Sequence, residues 1–66
     1  MTNTERKQII QNALRYYTTA KQSGDAAKIA RAIDDMENVY ICVCLWAVEG
    51  AEKLRKTILE AKEAAQ

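Results

Sequence analysis

Proline and histidine are absent from this 66-residue chain, and glycine and cysteine occur only twice each. Without proline, no residue forces a helix to kink or stop. Without histidine, the chain lacks the usual general base at neutral pH and the commonest metal ligand. The two thiols, Cys42 and Cys44, stand two positions apart. On a helix that turns them roughly 200° away from each other, so they neither bridge nor chelate within one helix. Thiols in an apolar setting are poorly ionised and unreactive, and they fit a reducing compartment better than a secreted framework; both read as core packing. An excess of one charge is missing too. Ten lysines and arginines face nine acidic residues, a net charge of +1, which argues against a general polyanion binder. The amino end, Met1 to Gln8, lacks the apolar core of a signal peptide. No glycine-rich phosphate loop occurs. The expectation is a cytoplasmic protein that is not an enzyme, with no catalytic residues, no cofactor and no metal.

What remains is dominated by alanine, leucine, lysine, glutamate, glutamine and arginine, all good helix formers. Thr2 followed three residues later by Glu5 matches a capping box, with Thr4 as a rival cap. A first helix is predicted over about residues 4–22. Its apolar residues fall in two adjacent rows, Ile10, Leu14 and Tyr17 beside Ile9, Ala13, Tyr16 and Ala20. That stripe is wide enough for two neighbours. Ser23, Gly24 and Asp25 form the clearest break: glycine takes the left-handed conformation that ends a helix, and aspartate caps the next one. So short a link makes the flanking helices an antiparallel hairpin.

From Ala26 onward, Ile29, Ile33, Met36, Tyr40, Val43 and Ala47 alternate four- and three-residue spacings, a heptad seam. The seam resumes as Ala51, Leu54, Ile58, Ala61 and Ala65 after one four-residue step, a stutter. The apolar phase passes through Gly50 unbroken. One long second helix over about residues 26–64 is therefore predicted, bent at Gly50; the alternative is a break there and a third short helix. Within it, Val39 to Val48 are ten consecutive apolar residues. That is about half the roughly 20 needed to cross a bilayer, and Asp34, Asp35, Glu37 and Glu49 bracket it, so a buried segment is expected and no membrane span.

At 1.5 Å per residue, the first helix measures roughly 27 Å and the second roughly 58 Å. Folded back from Gly24, the shorter one reaches only to about residue 43 or 44. Everything beyond would be wet in a single copy, although burying each large apolar side chain is worth about 1.5–3 kcal/mol. A chain this short has a marginal core on its own. The expected architecture is thus all-α: a hairpin with a short first and a long second helix, assembled as a homodimer or larger bundle through Met36, Tyr40, Val43, Leu45, Trp46, Val48, Leu54 and Ile58.

Polar clusters offer weaker signals. Arg31 with Asp35, Glu49 with Lys53 and Glu52 with Lys56 are spaced to support a helix face, and this is a simpler reading of the acidic group Asp34, Asp35 and Glu37 than a metal site. Lys53, Arg55 and Lys56 are interleaved with glutamates, which disfavours a nucleic-acid face. Arg15, Tyr16, Tyr17 and Lys21, joined across the turn by Lys28 and Arg31, form a basic-aromatic corner suited to an anionic, nucleotide-like ligand or an acidic partner. The expected function is a small oligomeric interaction protein, in its concrete form a phage or bacterial accessory factor that inhibits or bridges a host protein. Sequestration of a small anionic ligand at subunit boundaries is the alternative, and nucleic-acid regulation a second one.

Overall fold

The computed structural model describes residues 2–43 and 49–64. Three helices account for nearly all of them: α1 (Asn3–Ser23), α2 (Ala26–Val43) and α3 (Ala51–Ala64). They run up, down and up. α1 packs along most of α2, whereas α3 rests chiefly on α2 and touches α1 more sparsely.

Local chemistry sets the boundaries. Thr2 is the N-cap of α1, its hydroxyl oxygen accepting the Glu5 N–H at 3.1 Å. Gly24 closes the same helix with φ 71° and donates its N–H to the Lys21 carbonyl at 3.3 Å. Asp25 caps α2, its Oδ1 accepting from the N–H groups of Ala27 and Lys28 at 2.9 and 3.4 Å. Two otherwise orphaned donors at the helix start are thereby satisfied.

The prediction of one helix over residues 26–64 is overturned at Gly50. That residue has φ 95°, in a Glu49–Gly50 turn, and its carbonyl accepts the first hydrogen bond of α3 from Leu54 N–H at 2.9 Å. The runner-up, a break with a third helix, describes the chain. The first helix is consequently not short: at 21 residues it is longer than α2 (18) and α3 (14). The cost of interrupting the helix is offset by what the fold-back covers. Leu54, Ile58 and Ala61 on α3 are buried within the same chain, and each large side chain so covered is worth about 1.5–3 kcal/mol.

The core comprises Ile10, Ala13, Tyr17 and Ala20 from α1, Ala32, Ile33, Met36 and Val43 from α2, and Leu54, Ile58 and Ala61 from α3. Alanine at four of these positions lets the helix axes approach closely, and Ile10, Met36 and Leu54 fill the space between them. The wide stripe on α1 serves both neighbours. Tyr16 departs from it and is 40% exposed. No buried polar or charged residue lies among the described residues.

Candidate functional site

Four residues assigned above to an oligomer interface lie elsewhere. Met36, Val43, Leu54 and Ile58 are in the chain's own core. The Gly50 turn brings Leu54 and Ile58 there by folding α3 back onto α1 and α2, while Met36 and Val43 belong to α2 itself. Tyr40 is half-buried against that core. Leu45, Trp46 and Val48 fall outside the described residues, as does Cys44. Cys42, expected in the core, is an exposed free thiol.

The basic-aromatic corner is only partly assembled. Buried Tyr17 and exposed Lys21 both line a cleft beside the second half of α1. On one side they meet Leu14, Thr18, Lys53, Thr57, Glu60 and Ala64 around about 310 Å³. On the other they meet Ala26, Ile29, Ala30, Ile33, Ala61 and Ala64 around about 440 Å³. Lys53, which sequence reasoning placed on a helix-supporting face, joins them because α3 folds back beside α1. Thr18 and Thr57 donate their hydroxyls to the Leu14 and Lys53 carbonyls. The polar groups left to face a ligand there are thus chiefly the two ammoniums, the tyrosine hydroxyl and the Glu60 carboxylate. Arg15, Tyr16, Lys28 and Arg31 are exposed and line neither side of this cleft. Arg15 and Tyr17 are two apart on a helix and so point in nearly opposite directions.

A second feature lies between α2 and α3. Glu37, Tyr40 and Ile41 face Arg55, Ile58 and Leu59 across a notch of about 150 Å³. A volume of that size admits a benzene-sized group, below the 300–1,000 Å³ of small-molecule sites. It has room for one apolar side chain. Its rim is unusually apolar for a surface: Ile41 is 65% exposed and Leu59 54%. The sequence held a signal for both. Each follows directly on a core-row residue, Tyr40-Ile41 and Ile58-Leu59, and so broadens the apolar stripe of its helix on one flank. The heptad seam itself runs only along the central row.

Ion pairs join different elements from those the spacing indicated. Glu49 pairs with Lys7 of α1 at 3.1 Å rather than with Lys53, and Glu37 pairs with Lys62 of α3 at 2.9 Å. The first ties the start of α1 to the Gly50 turn, and the second ties α2 to the end of α3. Both are partly solvated and contribute modestly, about 0–1 kcal/mol each. Among the described residues no group of acidic or thiol side chains is arranged to hold a metal ion, and no helix is long and apolar enough to cross a membrane.

These features define the chain as a small antiparallel three-helix bundle with an apolar notch on one face and a lysine-bearing cleft on another. Comparison with protein-family models, with curated proteins and with solved structures returns no match.

Proposed function

We propose that this chain is a non-enzymatic interaction protein that acts by docking onto protein surfaces. The observation that carries this reading is the exposed pair Ile41 and Leu59 flanking a side-chain-sized notch. Isolated apolar residues on a surface are ordinary, but two of them bordering a socket form a knob-and-hole surface of the kind helices use on one another. The concrete form is a cytoplasmic phage or bacterial accessory factor that self-associates and occupies or bridges a host protein. The test is the double variant Ile41→Glu with Leu59→Glu. Both side chains are exposed, so helix content and melting temperature should stay close to wild type. Association, by light scattering for self-contact and by affinity capture for a partner, should weaken at least about 30-fold, since roughly 1 kcal/mol of apolar contact is lost at each position before any charge is desolvated. Unaltered association would reject the reading.

A second reading, sequestration of a small anionic ligand, is supported by the convergence of Lys21, Lys53 and Tyr17 on one cleft of ligand-sized volume, where two ammoniums outnumber the one carboxylate, Glu60. Nucleotides would then raise the melting temperature of the wild type, and Lys21→Glu with Lys53→Glu would abolish the shift. Protection that survives both changes would remove the cleft from consideration.

A further inference from the structure

The cleft beside α1 has two compartments of different character. The one between α1 and α3 holds about 310 Å³ and carries the charges, Lys21, Lys53 and Glu60. The other lies at the end of the bundle where Ala26 begins α2 and Ala64 ends α3, and holds about 440 Å³. Its walls are aliphatic, Ile29 and Ile33 with Ala26, Ala30, Ala61 and Ala64, and the four alanines leave room that larger side chains would fill. Tyr17, Lys21 and Ala64 border both compartments. Tyr17 is only 9% exposed, and its hydroxyl has no hydrogen-bond partner among the described residues. Every fully enclosed side-chain oxygen and nitrogen among them has a partner. This hydroxyl therefore keeps an opening, and the space beside Tyr17 is the cleft on both sides. A buried tyrosine hydroxyl ordinarily finds a partner; here the partner has to come from the cleft. Among the described residues neither Lys21 nor Lys53 enters an ion pair.

We propose that the cleft binds a small amphipathic monocarboxylate, an anion with one charged head and a medium-length aliphatic tail. The head sits where the compartments meet. It accepts hydrogen bonds from the Tyr17 hydroxyl and the Lys21 ammonium, and Lys53 faces it from α3. The tail lies in the aliphatic compartment, against Ile29 and Ile33 of α2. Charge selects the head: two ammoniums and one carboxylate leave a single positive charge, which matches one negative charge and not the several of a nucleotide phosphate chain. Burial selects the tail: the aliphatic compartment removes methylenes from water and gives a wholly polar anion nothing. This inference rests on the anionic-ligand reading of the cleft and narrows the ligand to a chemical class.

The experiment titrates the full chain with hexanoate, octanoate and decanoate by isothermal calorimetry, with octanol and ATP as comparisons. Affinity should rise about two- to fourfold for each added methylene. Octanol, which has the tail without the charge, should bind at least about tenfold more weakly than octanoate. Tyr17→Phe keeps the ring and removes only the hydroxyl; it should weaken octanoate about fivefold or more and leave octanol unchanged. Lys21→Gln should weaken octanoate about tenfold, again without effect on octanol. Ala30→Leu narrows the aliphatic compartment from an exposed helix position, where leucine is well tolerated. It should flatten the dependence on chain length. Equal affinity for all chain lengths, octanol as tight as octanoate, or octanoate binding undiminished by Lys21→Gln and Tyr17→Phe would each overturn the assignment. If in such a case ATP still raises the melting temperature, and Lys21→Glu with Lys53→Glu abolishes that shift, the anion reading stands and only the amphipathic class is lost. Protection by none of these anions removes both.

Discussion

Replacing Leu54 with aspartate should leave the chain unfolded. Leu54 has no exposed surface and sits where α3 meets the other two helices. Losing such a side chain costs about 2–5 kcal/mol even when alanine replaces it. Aspartate adds a carboxylate with no buried polar neighbour among the described residues to receive it, at a further cost of several kcal/mol. A domain of this size has roughly 3–10 kcal/mol of stability in total. The two losses together match or exceed it. Far-ultraviolet circular dichroism should therefore show the helical signal collapse, with Leu54→Ala shifting the denaturant midpoint in the same direction by a smaller amount. Ile41→Asp, a residue equally apolar but exposed, should stay folded. A well-folded Leu54→Asp protein would mean that α3 does not dock on α1 and α2.

The second large effect is expected at Gly50. Its φ of 95° is a conformation that an L-residue adopts at a cost of about 1–3 kcal/mol. A Cβ there would meet Ile10 Cγ2 at 3.4 Å, ordinary contact, so the strain lies in the backbone and not in a clash. Alanine also favours a helix over glycine by about 1 kcal/mol. Gly50→Ala thus penalises the turn and rewards helix through the same residue. The melting temperature should fall by about 10–20 °C. Material that remains folded should associate more strongly as concentration rises, because a helix continuing through residue 50 carries Leu54 and Ile58 away from their own core and offers them to another copy. Thermal melts and light scattering at several concentrations check both halves. An unchanged melting temperature would show that Gly50 does not hold the turn.

These two residues also mark where sequence reading succeeded and where it stopped. The cap at Thr2 and the turn at Gly24 and Asp25 were legible because their signals are local: a hydroxyl three residues before a glutamate, and a glycine followed by an acceptor. The buried rows were legible too, since Leu54, Ile58 and Ala61 are the very seam positions that the spacing picked out. What the spacing did not contain was the identity of the neighbour. A stripe has the same 3.6-residue period whether its helix runs on or doubles back, and the phase through Gly50 was preserved for the second reason, not the first. The lysine cleft was half legible. Tyr17 and Lys21 share a helix face by their spacing, but Lys53 joins them only through the fold-back. Arg15 and Tyr16 were grouped with them by closeness in sequence, which on a helix does not mean a common direction.

The order in which the helices meet has a kinetic consequence. α1 and α2 are joined by a tight turn and share the largest interface, so they can zip together through contacts between residues close in the chain. Topologies of this kind, rich in short-range contacts, fold in microseconds to milliseconds. α3, with fewer partners, is then the last segment to arrive and the first to leave. Amide exchange in Ala51–Ala64 should outpace that in the middle of α1, reporting a transient two-helix form in which Met36 and Ile10 are briefly wet.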